Sequence, residues 1–263
     1  MKSQVRSKTF RFFPVLVLVV VLAAGWLWLG NHYTVPIIMY HNIESNPAGK
    51  ADTVSPEIFL RQMDFLKTHG YRVISLDNLV RGIQTGHPPG RKSVVLTFDD
   101  GYENNYTYVF PLLKRYGFPA MIFISPDFFG EDGFLSLDQI LDMQKAGVQF
   151  GSHGMSQAYL PDLTDDQRYL EIWESRRILT ADLNANVDYF CYPVGGFNDR
   201  IKDLVRRAGY QGALATNRGY DRFNKDVYEL KRIRFSDKDK SPIVLWAKLS
   251  GYYNLFRKFK NPE

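Results

Sequence analysis

The stretch "SVVLTFDDGYENN", residues 93–105, joins an apolar run to two adjacent carboxylates. Its residues 94–98 have the character of a buried strand, and Asp99, Asp100 and Gly101 follow at once. Two like charges side by side repel, so the pKa of one of them normally rises unless a positive group lies nearby. The stretch therefore indicates either a cation or active site at the end of a strand, or an ordinary solvated turn.

Apolar, strand-like runs alternate with helical patterns on both sides of this stretch. The helical pattern is clear at 57–69, where Phe59, Met63 and Leu66 recur at helical spacing. A longer helix is predicted at 164–183. The predicted strands are 35–40, 71–76, 93–98, 119–125, 148–153, 187–193, 212–216 and 230–235. Such alternation predicts a parallel sheet with helices outside it, either a barrel or a doubly wound sheet.

Polar side chains follow several of the predicted strands. His41, the Asp99–Asp100 pair, His153 and the Tyr192–Pro193 pair all stand at such strand ends. In parallel α/β folds the carboxyl ends of the strands meet at one face, where the active site lies. Taken singly, each feature is ordinary, since Asp-Asp-Gly is a common turn and a lone histidine is usually structural. Their coincidence favours one shared site.

Composition and charge narrow the classes of function. The chain has 263 residues and one cysteine, Cys191, which excludes an intrachain disulfide and a multi-cysteine zinc site. The formal net charge is +5, but residues 12–240 hold 25 bases and 27 acids. The remaining bases lie at the two ends of the chain. No basic stripe indicates nucleic acid or a polyanionic substrate.

The N-terminal segment has the pattern of a membrane anchor. Residues 12–31 carry no charge, and a helix of about 20 residues spans the hydrocarbon core of a bilayer. Four bases in residues 1–11 predict a cytoplasmic head, which places the rest of the chain outside. A cleaved signal peptide is the alternative. Either reading predicts a domain that works outside the cytoplasm.

Several segments together resemble the polysaccharide deacetylase family, also called the NodB-homology or carbohydrate esterase family 4 domain. They are "TFDDG", "GSHGMSQAYL", "YPVGGFN", "AGYQGALAT" and "LKRIRF". The opening "VPIIMYHNIE" is similar to the branch that contains bacterial poly-N-acetylglucosamine deacetylases. The similarity covers about residues 35–236. It implies an α/β fold, a distorted (β/α) barrel with about seven repeats, here preceded by the transmembrane helix.

The resemblance also implies an activity and a location. Family members remove acetyl groups from N-acetylated sugars with a divalent metal, usually zinc, with cobalt, nickel or manganese as alternatives. We therefore expect an N-deacetylase that acts on a cell-envelope glycan from the outer side of the bacterial cytoplasmic membrane. Two alternatives are a catalytically impaired relative that only binds glycans, and an O-deacetylase on the same scaffold.

The resemblance assigns roles to particular residues. It implies Asp99 as the general base, His41 as the general acid, the backbone N–H of Val194 as the oxyanion donor, Asp100, His153 and Gln157 as metal ligands, and Tyr192 and Pro193 as substrate-binding residues. These roles answer the question raised by the paired carboxylates, because a cation takes one and the other accepts the proton of the attacking water.

Gln157 departs from the family pattern, which has a second histidine four residues after His153. The spacing would bring both side chains to one face of a helical turn. Gln157 either ligates through its carbonyl oxygen, or leaves a position for water, or marks an impaired site. A carboxamide is a weaker zinc ligand than imidazole.

The sequence thus predicts four segments. They are a basic head at 1–11, an anchor at 12–31, a deacetylase-like domain at 35–240 and an amphipathic basic segment at 241–263. The last segment either covers the barrel or lies on the bilayer.

Overall fold

A computed structural model of the chain describes residues 13–45 and 52–263. The chain divides into two units, Met1–Tyr33 and Thr34–Glu263. Within the described part of the chain, no helix has both the length and the apolar character needed to cross a membrane. The predicted anchor at 12–31 is therefore not confirmed, although a helix does form there. The predicted basic head at 1–11 lies outside the described residues.

The larger unit alternates strands and helices, as the sequence predicts. The strands are β1 (Ile37–Tyr40), β2 (Asn42–Ile43), β3 (Thr53–Val54), β4 (Arg72–Val73), β5 (Ser93–Phe98), β6 (Met121–Ile124), β7 (Gln149–Ser152), β8 (Tyr189–Cys191), β9 (Gly212–Ala215), β10 (Leu230–Lys231) and β11 (Ile233–Arg234). The helices are α1 (Phe13–Asn31) in the first unit, then α2 (Pro56–Thr68), α3 (Leu76–Gln84), α4 (Phe110–Tyr116), α5 (Leu137–Lys145), α6 (Asp165–Tyr169), α7 (Ser175–Leu183), α8 (Asp199–Arg207), α9 (Pro242–Leu249) and α10 (Tyr253–Phe256).

The main sheet is parallel throughout and curls into a nearly closed barrel. Its strand order is β10-β9-β8-β7-β6-β5-β1-β11, with β4 added beside β5. The two ends of this order are consecutive in the chain, because only Arg232 separates β10 from β11. The path thus has eight strands rather than about seven repeats. The difference arises because the predicted strand 230–235 pairs first with β9 and then with β1.

The core follows from the apolar strands. All six residues of β5 are buried, as expected for a parallel strand covered on both faces. Tyr40 stacks on Phe98 with ring centroids 5.2 Å apart, and its hydroxyl donates to Gln62 Oε1 at 2.8 Å. Leu96 is fully buried, and truncating such a residue to alanine typically costs about 2–5 kcal/mol.

Two predicted elements differ in the structure, and the C-terminal segment follows one of its two alternatives, covering the barrel. The predicted strand 71–76 keeps only β4, since Ser75 accepts from the N–H of Asn78 and caps α3 instead. The predicted helix at 164–183 is interrupted by a π-helical turn, Leu170–Glu174. The segment 241–263 forms two short helices, and Leu245 and Leu249 join the hydrophobic core.

Candidate active site

The carboxyl ends of the strands open into one cavity of about 610 Å³. His41 follows β1, Asp99 and Asp100 follow β5, His153 follows β7, and Tyr192 follows β8. All five line this cavity, together with the other predicted site residues, Gln157, Pro193 and Val194. The structure therefore brings every predicted site residue to the same place.

Asp99 is buried and paired with an arginine. Its Oδ1 lies 2.6 Å from Arg232 Nη1, and its Oδ2 lies 2.7 Å from Arg232 Nη2. Burial alone would raise the pKa of the Asp99 carboxyl, but the charge and hydrogen bonds of Arg232 outweigh it and hold that pKa well below its usual range. Asp99 is therefore ionised at neutral pH.

Arg232 is completely buried and reaches its position from the junction between β10 and β11. Its Nε donates to the carbonyl of Ala215 at 3.0 Å, and its Nη1 also donates to Thr97 Oγ1 at 3.2 Å. These contacts fix the plane of the guanidinium, which a bidentate pair with a carboxylate requires. The sequence analysis did not identify this residue, although it lies in the segment "LKRIRF".

His41 faces the same carboxylate from the other side. Its Nε2 lies 3.7 Å from Asp99 Oδ2. Its Nδ1 is buried and has no hydrogen-bond partner among the described residues. The backbone is held by Asn105, whose side chain donates to the His41 carbonyl at 3.2 Å. Asn105 is the first residue of a π-helical turn after the Asp-Asp-Gly sequence. The His41 imidazole thus stands beside Asp99 at the cavity wall.

Asp100 and His153 form a second pair. His153 Nε2 lies 3.4 Å from Asp100 Oδ1, and its Nδ1 lies 2.8 Å from the carbonyl of Cys191. A carbonyl only accepts, so Nδ1 carries a proton and Nε2 is the nitrogen that faces Asp100. Burial lowers the pKa of His153, but the neighbouring Cys191 and the hydrogen bond with Asp100 raise it well above its usual value, so a cation bound at Nε2 would displace a proton. A metal-binding histidine is commonly oriented in this way by a second hydrogen bond. The donor set of one carboxylate and one oriented imidazole fits a divalent cation such as zinc.

Asp100 has the left-handed backbone conformation, with φ of 71°. Such a φ is uncommon outside glycine, but aspartate and asparagine adopt it more readily than most residues. The turn separates the two carboxylates, so that Asp99 points toward Arg232 and Asp100 toward His153. The paired acids consequently have different partners.

Gln157 lies in the cavity wall, but not on a helical turn. The loop after β7 is irregular, and Gln157 has a φ of 61°. The expected helical face shared with His153 is therefore wrong, because this left-handed residue turns the chain out of any helix. Gln157 Nε2 donates to the backbone carbonyl of Asp100 at 3.5 Å. That contact leaves the carboxamide oxygen as the atom that a cation would take.

A buried carboxylate, Glu171, holds this loop. Its oxygens accept from the N–H of Met155 at 2.7 Å and from the N–H and hydroxyl of Ser156 at 3.1 and 2.5 Å. Gly154 has a φ of 84°, and a side chain there would collide with the Glu171 carboxylate. Glu171 belongs to the π-helical turn that interrupts the predicted helix. The sequence does not single out Glu171, because an acidic residue within a helical pattern is normally expected on the solvent-exposed face of the helix.

Val194 has a left-handed backbone conformation and lies in the wall of the cavity. Its φ is 55°, an outlier for a β-branched residue, and 63% of the residue is exposed at the cavity. The turn is closed by hydrogen bonds from Gly195 N to the Tyr192 carbonyl at 2.8 Å and from Gly196 N to the Pro193 carbonyl at 3.0 Å. Such strained turns expose N–H groups suited to an oxyanion.

A second set of donor atoms lies deeper. Asp99, His153 and Cys191 place one ligand atom each within 4.8 Å of one another. Arg232 Nη2 lies 3.0 Å from the Cys191 sulfur, and Nη1 and Nη2 of the same guanidinium donate to the two oxygens of Asp99. Burial raises the pKa of the Cys191 thiol, so the neutral form is favoured. A cation there would meet a guanidinium, and the pair Asp100–His153 is the better cation site.

Comparisons with known proteins give one consistent result. A family model described as polysaccharide deacetylase matches residues 86–213. A Bacillus subtilis protein assigned to the polysaccharide deacetylases, YxkH, is 29% identical over 213 residues, covering 81% of this chain and 75% of that protein. The poly-beta-1,6-N-acetyl-D-glucosamine N-deacetylase of Staphylococcus aureus is 28% identical over 202 residues, covering 70% of this chain and 68% of that protein.

Solved structures are also similar. The deacetylase PplD of Streptococcus pyogenes, in complex with acetate, superposes with a TM-score of 0.75 at 28% identity, covering 82% of this chain and 97% of that one. BC0361, a polysaccharide deacetylase from Bacillus cereus, has a TM-score of 0.70 at 26% identity, covering 82% of this chain and 68% of that one.

Proposed function

The chain contains a polysaccharide deacetylase domain and is a hydrolase of that family, and from this premise we propose that it removes acetyl groups from N-acetylglucosamine units with a divalent cation held by Asp100 and His153. The observation that carries the proposal is the convergence of His41, Asp99, Asp100 and His153 on one cavity. That set contains an acid, a base and a cation site.

Asp99 is the base of the proposed reaction. The two oxygens of Asp99 offer about four acceptor directions, of which the bidentate pair with Arg232 takes two. Because Arg232 holds its pKa low, Asp99 is ionised at neutral pH and is a weak base. A weak base can take a proton only from a water that is already acidified.

The cation supplies that acidification and polarises the acetyl carbonyl when it is bound. Asp100 and His153 hold it, and the Gln157 carboxamide stands beside them in the same cavity wall. The low pKa of Asp99 agrees with a reaction in which a bound cation has already acidified the attacking water.

The remaining steps belong to His41 and Val194. As water attacks the acetyl carbon, the N–H of Val194 donates to the oxygen that gains negative charge. The carbon–nitrogen bond then breaks, and His41 Nε2 gives its proton to the departing amine. His41 is 3.7 Å from Asp99, so acid and base serve one substrate without moving. The products are acetate and a free amino sugar.

The comparisons support this substrate class. The Staphylococcus aureus relative is named for action on poly-beta-1,6-N-acetyl-D-glucosamine, and PplD was solved with acetate, which would be a product here. We extend the proposal to a glycan of the cell envelope, acted on outside the cytoplasmic membrane. The basic residues of 1–11 and the uncharged residues of 12–31 support that location. Reporter fusions at the C-terminus, active only outside the cytoplasm, test it.

The direct test is acetate release. Purified protein is freed of metal, then given zinc, cobalt, nickel or manganese with oligomers of N-acetylglucosamine. We expect acetate only with added cation and none from the Asp99→Asn variant. Acetate release that persists after complete metal removal would contradict the cation role. No release from any N-acetylated oligomer with any cation would contradict the activity.

A further inference from the structure

One wall of the cavity is strongly basic. Four bases line it: Arg218 from the loop after β9, Arg234 from β11, and Arg257 and Lys260 from the chain after α10. The acids in the cavity do not balance them, because Asp99 is already paired with Arg232 and Asp100 faces His153. Asp52, exposed at the rim, is the one further acid among the described lining residues.

The tail that carries two of these bases is fixed in place. Lys260 N donates to the Asn217 carbonyl at 3.0 Å, and Gly219 N donates to the Lys260 carbonyl at 3.1 Å. Arg218 Nη1 donates to the carbonyl of Asn261 at 3.0 Å and so fastens the same segment. Phe197 N bonds the Pro262 carbonyl at 3.0 Å. Backbone and side-chain hydrogen bonds therefore fix the position of the basic wall.

Three of these bases have no carboxylate partner among the described residues. Among the described residues, no carboxylate forms an ion pair with Arg234, Arg257 or Lys260, whereas Lys248 nearby pairs with Asp239 at 2.6 Å. Arg257 is half-buried and donates to the Arg232 carbonyl at 2.6 Å. Burial and the neighbouring charge of Arg234 lower the pKa of Arg257 to about 10, so it stays protonated at neutral pH. Like charges held together without an acid attract an anion.

We propose that Arg234, Arg257 and Lys260 form a subsite for an anionic substituent on the glycan, a phosphate or a carboxylate, beside the acetyl group that is removed. The inference rests on the proposed deacetylase function and narrows its substrate. Guanidinium groups bind both kinds of anion through paired hydrogen bonds. The sequence placed Arg257 and Lys260 in a basic C-terminal segment, but only the fold brings Arg234 beside them in the cavity wall.

The test compares matched substrates. The probes are a pentamer of N-acetylglucosamine, the same pentamer with a 6-phosphate, and the same pentamer with C6 carboxylates. The ratio of kcat/KM for acetate release, anionic over neutral, is measured for the wild type and for Arg234→Gln and Lys260→Gln. Both side chains are exposed, so these variants should fold. Arg207→Gln, an exposed arginine on α8 outside the cavity, is the control.

We expect the wild-type ratio to exceed one, and to fall roughly tenfold in Arg234→Gln, the usual effect of losing a charge-assisted hydrogen bond. The control should keep the wild-type ratio. The anion with the larger ratio identifies the natural substituent. Equal ratios in wild type and in both variants would overturn the subsite.

A binding measurement separates this inference from the activity. The three pentamers are titrated into Asp99→Asn protein by calorimetry, with and without Arg234→Gln. Tighter binding of an anionic pentamer that weakens with Arg234→Gln and with added salt supports the subsite even if no acetate is ever released. Equal affinity for neutral and anionic pentamers overturns it whatever the activity is.

Discussion

The guanidinium of Arg232 holds both oxygens of Asp99, although the two residues are 133 positions apart in the sequence. The pair is fully buried, and the arginine comes from the point where the barrel closes. The charge state of the proposed base therefore depends on the residue that joins the last two strands, β10 and β11.

Replacing Arg232 should move the acidic limb of the pH–rate profile. The pKa of Asp99 is held low by Arg232, so Arg232→Gln raises it. A base works deprotonated, hence the variant loses activity first at low pH and regains part of it as pH rises. Arg232→Lys keeps the positive charge but loses the two parallel N–H donors of the guanidinium. It should therefore shift the acidic limb less than Arg232→Gln does. The measurement is kcat/KM against pH, and an unmoved limb would refute the role.

Replacing Asp99 and replacing Asp100 should have different effects on zinc content. Asp100→Asn keeps a residue that tolerates the left-handed φ but removes a charged ligand, so the protein should lose both zinc and turnover. Asp99→Asn should keep zinc and lose turnover. Elemental analysis after dialysis, beside acetate release, distinguishes the two. Equal zinc loss in both variants would show that the roles are assigned wrongly.

His41→Gln should lower turnover by roughly 10²–10⁴-fold, the usual share of a positioned proton transfer. Zinc content should stay at the wild-type level, because His41 contacts Asp99 rather than Asp100 or His153. Single-turnover rates and elemental analysis test this. If the variant loses zinc instead, His41 is a ligand that compensates for Gln157.

Gln157→His should tighten zinc binding by about tenfold or more, since an imidazole replaces a carboxamide beside Asp100. Histidine tolerates a positive φ better than most residues, so the loop should keep its shape. Competition with a chelating dye measures the change. Unchanged or weaker affinity would mean that the position does not face the cation.

Glu171→Gln should weaken zinc binding by about tenfold and lower the melting temperature, because a neutral amide replaces the carboxylate that holds the N–H groups of the loop after His153. Glu174→Gln, on the same π-helical turn but paired with surface Arg177, is the matched control and should change neither. Parallel effects in the two variants would show that the loss is one of general helix stability.

Much of this arrangement followed from local patterns in the sequence. His41, Asp99, Asp100 and His153 were located because parallel strands deliver their carboxyl ends to one face, and the structure places all four there. Their catalytic and metal-binding roles stay predictions.

Other features depend on contacts that local patterns do not contain. Arg232 reads as one base in an alternating strand, and only closure of the barrel turns it toward Asp99. Gln157 was expected on a helical turn. Its position is set instead by its own left-handed backbone conformation and by the hydrogen bonds that Glu171 accepts from the loop. The basic wall combines residues from β11 and the C-terminal tail, which only the tertiary fold brings together.

The junction of β10 and β11 has a consequence for the newly made chain. Synthesis proceeds from the N-terminus, so the carboxylates at 99 and 100 leave the ribosome long before Arg232 does. Until residues 230–234 insert between β9 and β1, the barrel has an open seam and Asp99 lacks its counter-charge. We therefore expect a chain that ends before residue 230 to lack hydrolase activity, because neither the closed sheet nor the Asp99–Arg232 pair can form.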